Sequence, residues 1–158
     1  MQAPFRSSPK RVKPEWIDYN GHLNMAYYNV LFDTSVDEIY EQIGFGPAYI
    51  ESHGNTTYTA EFHICYVREL HDGDETFVTT QLISFDEKRF HTYQELYHAD
   101  GWLAATGEAL ALHIDMSGPR VAPMPAHILE NLAAIHKAHA ALPKPTRVGK
   151  SIGIPSKP

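Results

Sequence analysis

The feature that most constrains the fold of this chain is a change of apolar period from that of a helix to that of a strand. Apolar residues recur three or four positions apart between Met25 and Ile43, while acidic residues fall on another face. This spacing predicts an amphipathic helix of about five turns. Asn24 is the expected N-cap and Gly44 the expected C-cap. From residue 58 to residue 66 apolar and polar residues alternate instead, which predicts a half-buried strand.

Further strand patterns follow this switch. They cover residues 76–85, 89–98 and 102–115. Short turns separate them, and Asp100-Gly101 is a two-residue hairpin signal. Consecutive strands joined by short turns form an antiparallel sheet, and this sheet must cover the apolar stripe of the helix. We therefore expect an α+β fold, with a second helix at residues 126–141 and an extended, Pro-containing N-terminal arm that carries a short edge strand near Arg11–Lys13.

The length of the chain bounds its organisation and location. At 158 residues, we expect a single domain over residues 1–158, with a core at about 12–141 and a basic, Pro-containing tail at 142–158. The single cysteine, Cys65, cannot form an internal disulfide, and the N-terminus lacks the apolar core of a signal peptide. A cytoplasmic location is the expectation. No apolar run approaches the roughly 18 residues needed to span a bilayer, so no membrane role is expected.

Charge is distributed unevenly along the chain. Eight of the thirteen Lys and Arg residues lie in residues 1–14 and 142–158, which contain no acid. Residues 15–141 therefore contain five basic residues and nineteen acids, which gives this segment a net charge of −14. An acidic body argues against a nucleic-acid partner, whose phosphates need a basic surface. The basic ends are compatible with a smaller polyphosphate ligand, and equally with a role in solubility alone.

The densest group of chemically capable residues lies directly before the long predicted helix. Asp18 begins an Asp-Tyr-Asn-Gly sequence, which on its own is typical of an ordinary turn. Its position also allows a second interpretation, because a loop that leads into a helix lies beside free backbone N–H groups. Such groups can stabilise an oxyanion that develops on a substrate. One turn would then supply both a carboxylate and an oxyanion donor.

The sequence D-Y-N-G-H-L-N at residues 18–24, followed by Tyr27 and Tyr28, resembles the Asp-x-x-Gly-His-x-Asn signature of the 4-hydroxybenzoyl-CoA thioesterase family. Y-V-R-E-L at 66–70 and the strand order fit the same family over roughly residues 12–116. Within it, the chain looks most like betainyl-CoA thioesterases associated with carnitine degradation. That closer likeness rests on F-D-E-K-R-F-H at 85–91, Y-H-A-D-G-W-L-A-A-T at 97–106 and G-K-S-I-G-I-P at 149–155.

The resemblance implies a hotdog fold, a long central helix wrapped by a mainly antiparallel sheet, and hydrolysis of an acyl-CoA thioester to free acid and coenzyme A. It assigns Asp18 as the carboxylate that attacks the thioester carbonyl or activates water. The backbone N–H of Met25 would be the oxyanion donor, although some relatives carry an aromatic residue there. His22 and Asn24 would shape the loop, with His22 also a proton-transfer candidate. No cofactor is expected. The sheet has more edge and apolar surface than one helix can cover, which predicts a homodimer or homotetramer, and the resemblance implies the same.

Two groups of residues are candidates for holding the substrate. Aromatic rings near the loop could form a cage for a trimethylammonium acyl group, although most aromatic residues simply belong to a core. These are Trp16, Tyr19, Tyr27, Tyr28, Phe32 and Tyr58. Glu61 and His63 share the strand face opposite Tyr58 and Phe62, as either an acid/base pair or a solvated or dimer-facing strand edge. The phosphates of coenzyme A would bind three of the five basic residues in the acidic segment 15–141. These are Arg68, Lys88 and Arg89.

Other classes of function are disfavoured or stay open. Ten histidines invite a metal hypothesis, but the chain has neither a His-Glu-x-x-His motif nor a cysteine pair, so no metal site is predicted. A hydratase is disfavoured because the chain lacks the Gly-Asp-x-Asn-Pro context of those enzymes. A non-catalytic acyl-CoA-binding hotdog module stays open, since a fold alone does not decide function.

Overall fold

The computed structural model of the protein describes residues 3–154. Within this range the chain forms seven strands and three α-helices, with a 3₁₀ turn at Pro14–Trp16. The helices are α1 (Met25–Ile43), α2 (Pro47–His53) and α3 (Ala126–His139). The strands are β1 (Phe5–Arg6), β2 (Lys10–Arg11), β3 (Asn55–Tyr66), β4 (Glu75–Phe85), β5 (Arg89–His98), β6 (Leu103–Asp115) and β7 (Arg120–Val121). Lys157, the last basic residue of the predicted tail, lies outside the described residues.

One antiparallel sheet carries all the strands. Its order is β1-β4-β5-β6-β3, with β2 also pairing with β4 and β7 with β6. The apolar stripe of α1 packs against this sheet, so the predicted α+β hotdog architecture is confirmed. The strand β3 lies at an edge, because within the described chain it pairs only with β6. No helix among residues 3–154 is long and apolar enough to cross a membrane.

The helix α1 begins and ends where its capping residues predict. The side chain of Asn24 accepts a hydrogen bond from the backbone N–H of Ala26 at 2.9 Å, and Gly44 adopts a φ of 106°, which suits glycine. The predicted apolar stripe is buried except at Val36, which is partly buried, and at its first residue. Met25, the first residue of α1, is 65% exposed. Its side chain is therefore free to contact a ligand.

The prediction that Tyr58 lies on the face opposite Glu61 is wrong. The register between β3 and β6 shifts between Thr59 and Glu61, which is the signature of a β-bulge. Tyr58 pairs with Leu112 and Glu61 pairs with Leu110, two residues apart on β6. Residues two apart on a strand share one face, so Tyr58 and Glu61 project from the same side of the sheet.

The remaining differences from the sequence prediction concern short elements. The helix α2 was not predicted, since it is only seven residues long and follows a Gly/Pro-rich link. The predicted edge strand near Arg11–Lys13 is found one residue earlier, as β2, and the arm adds a second short strand, β1. The second predicted helix ends at His139 rather than at residue 141. None of these differences moves the loop that precedes α1.

The first half of α1 is held by a buried cluster of its own. Leu31 and Phe32 are each 1% exposed and pack with Leu23, which lies two residues before the helix, and with Leu70. A second cluster joins the C-terminal half of α1 to α3 through Ile39, Ile128 and Leu132 and similar residues. The N-terminus of α1 is therefore fixed relative to the loop before it and to the segment after β3.

Candidate active site

The loop before α1 is a small hairpin closed by backbone hydrogen bonds. Ile17 and Leu23 form an antiparallel bridge, and the N–H of Asp18 donates to the carbonyl of His22 at 3.1 Å. The N–H of Gly21 donates to the carbonyl of Asp18 at 3.0 Å, with a φ of 81° that favours glycine at this position. This closure places the Asp18 and His22 side chains at the base of one turn.

The carboxylate of Asp18 is half-buried and only partly engaged. Its Oδ1 accepts a hydrogen bond from the backbone N–H of Asn20 at 2.8 Å. Its Oδ2 has no hydrogen bond within residues 3–154. One oxygen is therefore held by the loop and the other is free to attack a carbonyl or to accept a proton from water.

The backbone N–H of Met25 is a free donor at the start of α1. Asn24 satisfies the next two N–H groups, accepting from Ala26 through its side chain at 2.9 Å and from Tyr27 through its carbonyl at 3.0 Å. The N–H of Met25 has no acceptor in the part of the chain that the structure describes. It points from the positive end of a 19-residue helix, where it can stabilise an oxyanion.

Asp18 and Met25 line one cavity of about 490 Å³. One wall comes from the loop and the start of α1, and the other from residues 66–69, which follow β3. The hydroxyl of Tyr66 donates to the carbonyl of Met25 at 3.2 Å and fixes the two walls together. The lining residues are Asp18, Tyr19, Asn20, His22, Leu23, Asn24, Met25, Tyr28, Tyr66, Val67, Arg68 and Glu69.

Asp18 and Met25 line one cavity, and a free carboxylate oxygen and a free helix N–H are groups that can act on a thioester as base or nucleophile and as oxyanion donor. Comparison with known proteins identifies the family of the chain. The family model of the thioesterase-like superfamily matches residues 12–132. The chain belongs to the thioesterase-like superfamily.

Two relatives show where this thioesterase stands within the superfamily. It is 38% identical over 145 residues to a betainyl-CoA thioesterase of Pseudomonas aeruginosa, and the match covers 91% of both chains. It is 36% identical to an L-carnitine dehydrogenase/betainyl-CoA thioesterase of Rhizobium meliloti. That match covers 96% of this chain but only 30% of the longer protein. The predicted thioesterase family is confirmed.

Solved structures confirm the fold of the thioesterase. A hypothetical protein from Staphylococcus aureus in complex with CoA superposes with a TM-score of 0.89 at 29% identity, covering 98% of this chain and 99% of that one. A putative thioesterase from Pseudomonas putida superposes with a TM-score of 0.84, also at 29% identity, covering 99% of this chain and 100% of that one. The family and the betainyl-CoA thioesterase relatives confirm the predicted assignment as an acyl-CoA thioester hydrolase.

The structure brings only part of the predicted aromatic cage into the cavity of the thioesterase. Tyr28 lines it but is buried, and its hydroxyl accepts from the N–H of Leu70 at 3.2 Å, while Tyr19 lies at the loop tip, 97% exposed. Trp16 stacks on Tyr27 at 5.5 Å between ring centroids, and neither lines the cavity. Burial raises the pKa of Tyr28, which therefore stays a neutral hydroxyl.

Three of the other predicted binding residues lie far from Asp18 within the chain. Glu61 lines a separate cavity on the outer face of the sheet. Lys88 and Arg89 lie in the β4–β5 turn, where they pair with neighbouring acids, Arg89 with Asp86 at 2.6 Å. The pairing of Arg89 with residue 112 of β6 puts this turn at the opposite end of the sheet from the Asp18 cavity, roughly 25 Å away.

Arg68 and Tyr66 bring the end of β3 and the segment after it into the cavity. Arg68 was predicted to bind coenzyme A, and it does line the Asp18 cavity, with its guanidinium 4.1 Å from the centre of the Trp102 ring. Tyr66 was not predicted as a site residue. The only sequence signal for it was its place at the end of a strand, at the start of the Y-V-R-E-L motif. Its contact with Met25 depends on tertiary structure.

Proposed function

We propose that this thioesterase hydrolyses short acyl-CoA thioesters with a cationic acyl group, with betainyl-CoA as the first candidate. The observation that carries the proposal is the pairing of the free Asp18 Oδ2 with the free N–H of Met25 in one cavity. The betainyl-CoA thioesterase of Pseudomonas aeruginosa, 38% identical, supports the choice of acyl group.

The reaction follows from what the cavity offers to a thioester carbonyl. Asp18 either attacks the carbonyl carbon, giving an anhydride that water then cleaves, or removes a proton from the attacking water. In both routes the carbonyl oxygen becomes negative and accepts a hydrogen bond from the N–H of Met25. Coenzyme A leaves as a thiolate that takes up a proton, and His22, which lines the same cavity, is the candidate donor. One water is consumed for each acid and thiol produced.

The lining of the cavity supports a cationic acyl group. It contains two carboxylates, Asp18 and Glu69, and the tyrosine rings of Tyr19, Tyr28 and Tyr66. Aromatic faces attract a quaternary ammonium by roughly 0.5–2 kcal/mol each. Tyr28 and Tyr66 meet edge to face at 5.1 Å, so two rings are already held together beside Met25.

A matched pair of substrates tests this specificity. Betainyl-CoA and 3,3-dimethylbutanoyl-CoA have the same shape, but only the first is cationic. After each kcat/KM is divided by the uncatalysed hydrolysis rate, we expect the cationic substrate to be favoured by about tenfold, which corresponds to about 1.4 kcal/mol. Equal normalised values would contradict the cationic specificity, and hydrolysis of the neutral thioester would still leave the thioesterase assignment intact.

The placement of Arg68 predicts its effect on KM. Its positive charge lies in the cavity and the phosphates of coenzyme A are negative, so Arg68→Ala should raise KM by about fivefold at low ionic strength and by less at high salt. The double variant Lys88→Ala with Arg89→Ala is the matched comparison and tests the sequence prediction for the β4–β5 turn. An unchanged KM in Arg68→Ala would remove Arg68 from the proposed coenzyme A site.

The exposed edge of the sheet predicts a homodimer. The strand β3 is 12 residues long, and within residues 3–154 one of its edges pairs with no other strand. A long unpaired edge is a template for pairing with another chain, and a second copy can supply it symmetrically. We expect light scattering at micromolar concentration to give twice the 17.8 kDa chain mass, or four times if dimers associate. A mass equal to one chain would contradict this prediction.

A further inference from the structure

Arg68, which lines the Asp18 cavity, is a cation that has no acidic partner in the described chain. Of the five basic residues in the acidic segment 15–141, three form ion pairs with neighbouring carboxylates. The guanidinium of Arg68 forms neither an ion pair nor a hydrogen bond with any residue from 3 to 154. It lies instead over the face of the Trp102 indole, 4.1 Å from the ring centre.

An aromatic face holds a guanidinium without using its hydrogen-bond donors. A carboxylate beside Arg68 would accept two of its N–H groups and neutralise its charge. The indole attracts the same charge through its ring but offers no oxygen to the five N–H donors. Arg68 therefore keeps both its charge and a pair of parallel donors for an anion. Phosphate is an anion that this planar fork suits.

Backbone hydrogen bonds fix the segment that carries Arg68 beside the segment that carries Trp102. The N–H groups of Val67 and Arg68 both donate to the carbonyl of Ala104, at 2.9 and 3.0 Å. Ala104 lies two residues after Trp102, in the strand β6. The contact between guanidinium and indole therefore joins two backbones that are already held together, and only the arginine side chain has to be ordered by the ring.

The second face of the indole is covered by His98. The two rings are stacked, with centroids 4.6 Å apart and planes 9° apart. The turn between β5 and β6 brings them together, since the N–H of His98 donates to the carbonyl of Trp102 at 3.0 Å. The Nδ1 of His98 accepts from the N–H of Asp100 at 3.1 Å, and its Nε2 lies 3.6 Å from Asp74 Oδ1. The indole is thus held between His98 and Arg68.

The position of this stack suits the phosphates of an acyl-CoA rather than its thioester. Arg68 lines the Asp18 cavity but Trp102 does not, so the guanidinium over the indole lies at the margin of the cavity. In an acyl-CoA the pantetheine arm separates the thioester from the phosphates. A thioester that reacts at Asp18 therefore needs its phosphate-binding cation at the margin of the cavity and not beside the carboxylate.

We propose that Trp102 is a positioning residue for coenzyme A, which holds the Arg68 guanidinium at the cavity margin with its donors free for a phosphate. The proposal rests on the proposed role of Arg68 and extends it to a residue that touches no substrate. It also assigns a role to the H-A-D-G-W part of the motif at residues 97–106, because that turn stacks His98 on the indole.

The test compares two thioesters that differ only in the presence of phosphates. These are the short acyl-CoA that the wild-type protein hydrolyses best and the matching acyl-pantetheine. We expect Trp102→Leu to raise KM for the acyl-CoA by about threefold, with kcat within about twofold of wild type. KM for the acyl-pantetheine should stay within about 1.5-fold, because it carries no group for Arg68 to bind. Trp102→Phe, which keeps an aromatic face, should recover most of the loss.

A double-mutant cycle tests whether Trp102 acts through Arg68. In an Arg68→Ala background, Trp102→Leu should change KM for the acyl-CoA by less than about 1.5-fold, since the group that the indole holds is already absent. Phe77→Leu is the matched control. It removes the ring 3.6 Å from the Arg6 guanidinium, a cation–π pair outside the Asp18 cavity, and should leave KM unchanged.

The melting temperature of each variant confirms the folded state. If leucine destabilises the chain, Trp102→Met takes its place, because methionine fills more of the volume of the indole and also lacks an aromatic face. An unchanged KM for the acyl-CoA, an equal rise for both thioesters, or a threefold loss that persists without Arg68 would each overturn the proposal.

Calorimetric titration with free coenzyme A separates this proposal from the proposed thioesterase function. We expect Trp102→Leu to raise Kd for coenzyme A by about threefold, a measurement that needs no turnover. An unchanged Kd would contradict the role of Trp102 and leave thioester hydrolysis in place. The absence of turnover of any acyl-CoA by the wild-type protein would contradict the thioesterase function, and the effect of Trp102 on coenzyme A binding would stand.

Discussion

Asp18→Asn is expected to lower kcat by at least about a hundredfold, because removal of a general base typically costs on the order of 10²–10⁴ in rate. This corresponds to about 3–5.5 kcal/mol of activation free energy. Asparagine retains an oxygen that can accept the hydrogen bond from the N–H of Asn20, now 2.8 Å from Asp18 Oδ1. The loop should therefore keep its shape while the carbonyl or the water loses its activating charge.

The melting temperature of the same variant separates catalysis from folding. If Asp18 only held the turn, its replacement would cost about 1 kcal/mol of stability and leave kcat within a fewfold. We expect the opposite pattern, with the melting temperature nearly preserved and binding of a non-hydrolysable acyl-CoA analogue intact. Asp100→Asn, in the exposed turn between β5 and β6, is the matched control and should leave kcat unchanged. Near-wild-type turnover by well-folded Asp18→Asn would remove Asp18 from the mechanism.

Phe32→Ala is expected to lower the free energy of unfolding by about 3–5 kcal/mol. The ring is 1% exposed and packs edge to face on Phe62, at 5.7 Å and 71°, so it joins α1 to the edge strand β3. Its removal would also enlarge the cavity of about 150 Å³ that it already lines, and a larger cavity costs more. For a chain of this size each kcal/mol lowers the melting temperature by about 2–4 °C.

Phe32→Leu provides the comparison for this stability prediction. Leucine keeps most of the buried apolar contacts, so the loss should be clearly smaller than that of the alanine variant. Urea denaturation of both variants measures the difference directly. An alanine variant within about 1 kcal/mol of wild type would show that the contact between α1 and β3 does not hold the site, since core truncations of this kind rarely cost so little.

Local chemistry explains why much of the fold was predictable. The helix α1 could be predicted with its ends because Asn24 and Gly44 supply the cap interactions within a few residues of the helix. The long strands β4 and β5 were predictable from two-residue alternation and from turns rich in Asp and Gly. The Asp18 loop could be predicted because its hydrogen bonds join residues only a few positions apart.

Features that depend on pairing between distant segments could not be predicted. The β-bulge after Thr59, which moves Tyr58 to the outer face, depends on the register with β6. The contact of Tyr66 with Met25 joins residues 41 positions apart. The separation of Lys88 and Arg89 from Asp18 follows from the direction in which β5 runs. Local sequence patterns predict none of these three features, because each depends on how distant strands pair in the sheet.

Several predictions from the sequence stay predictions. The assignment of the whole chain to one domain and a cytoplasmic location both rest on composition and length. The roles of Glu61, Lys88 and Arg89 as binding residues would need a second copy of the chain to bring them near an Asp18 cavity. The mass measurement of the dimer is therefore also a first test of those roles.

Release of free thiol from a short panel of acyl-CoA thioesters that includes betainyl-CoA tests most directly whether the chain is a catalyst. A catalyst must release many equivalents of coenzyme A per chain, whereas a binding module would bind the thioester and release none. We predict repeated turnover of at least one short acyl-CoA at neutral pH, well above the uncatalysed rate and dependent on Asp18. Saturable binding of the panel, with thiol release no faster than in buffer, would contradict the claim that the chain catalyses thioester hydrolysis.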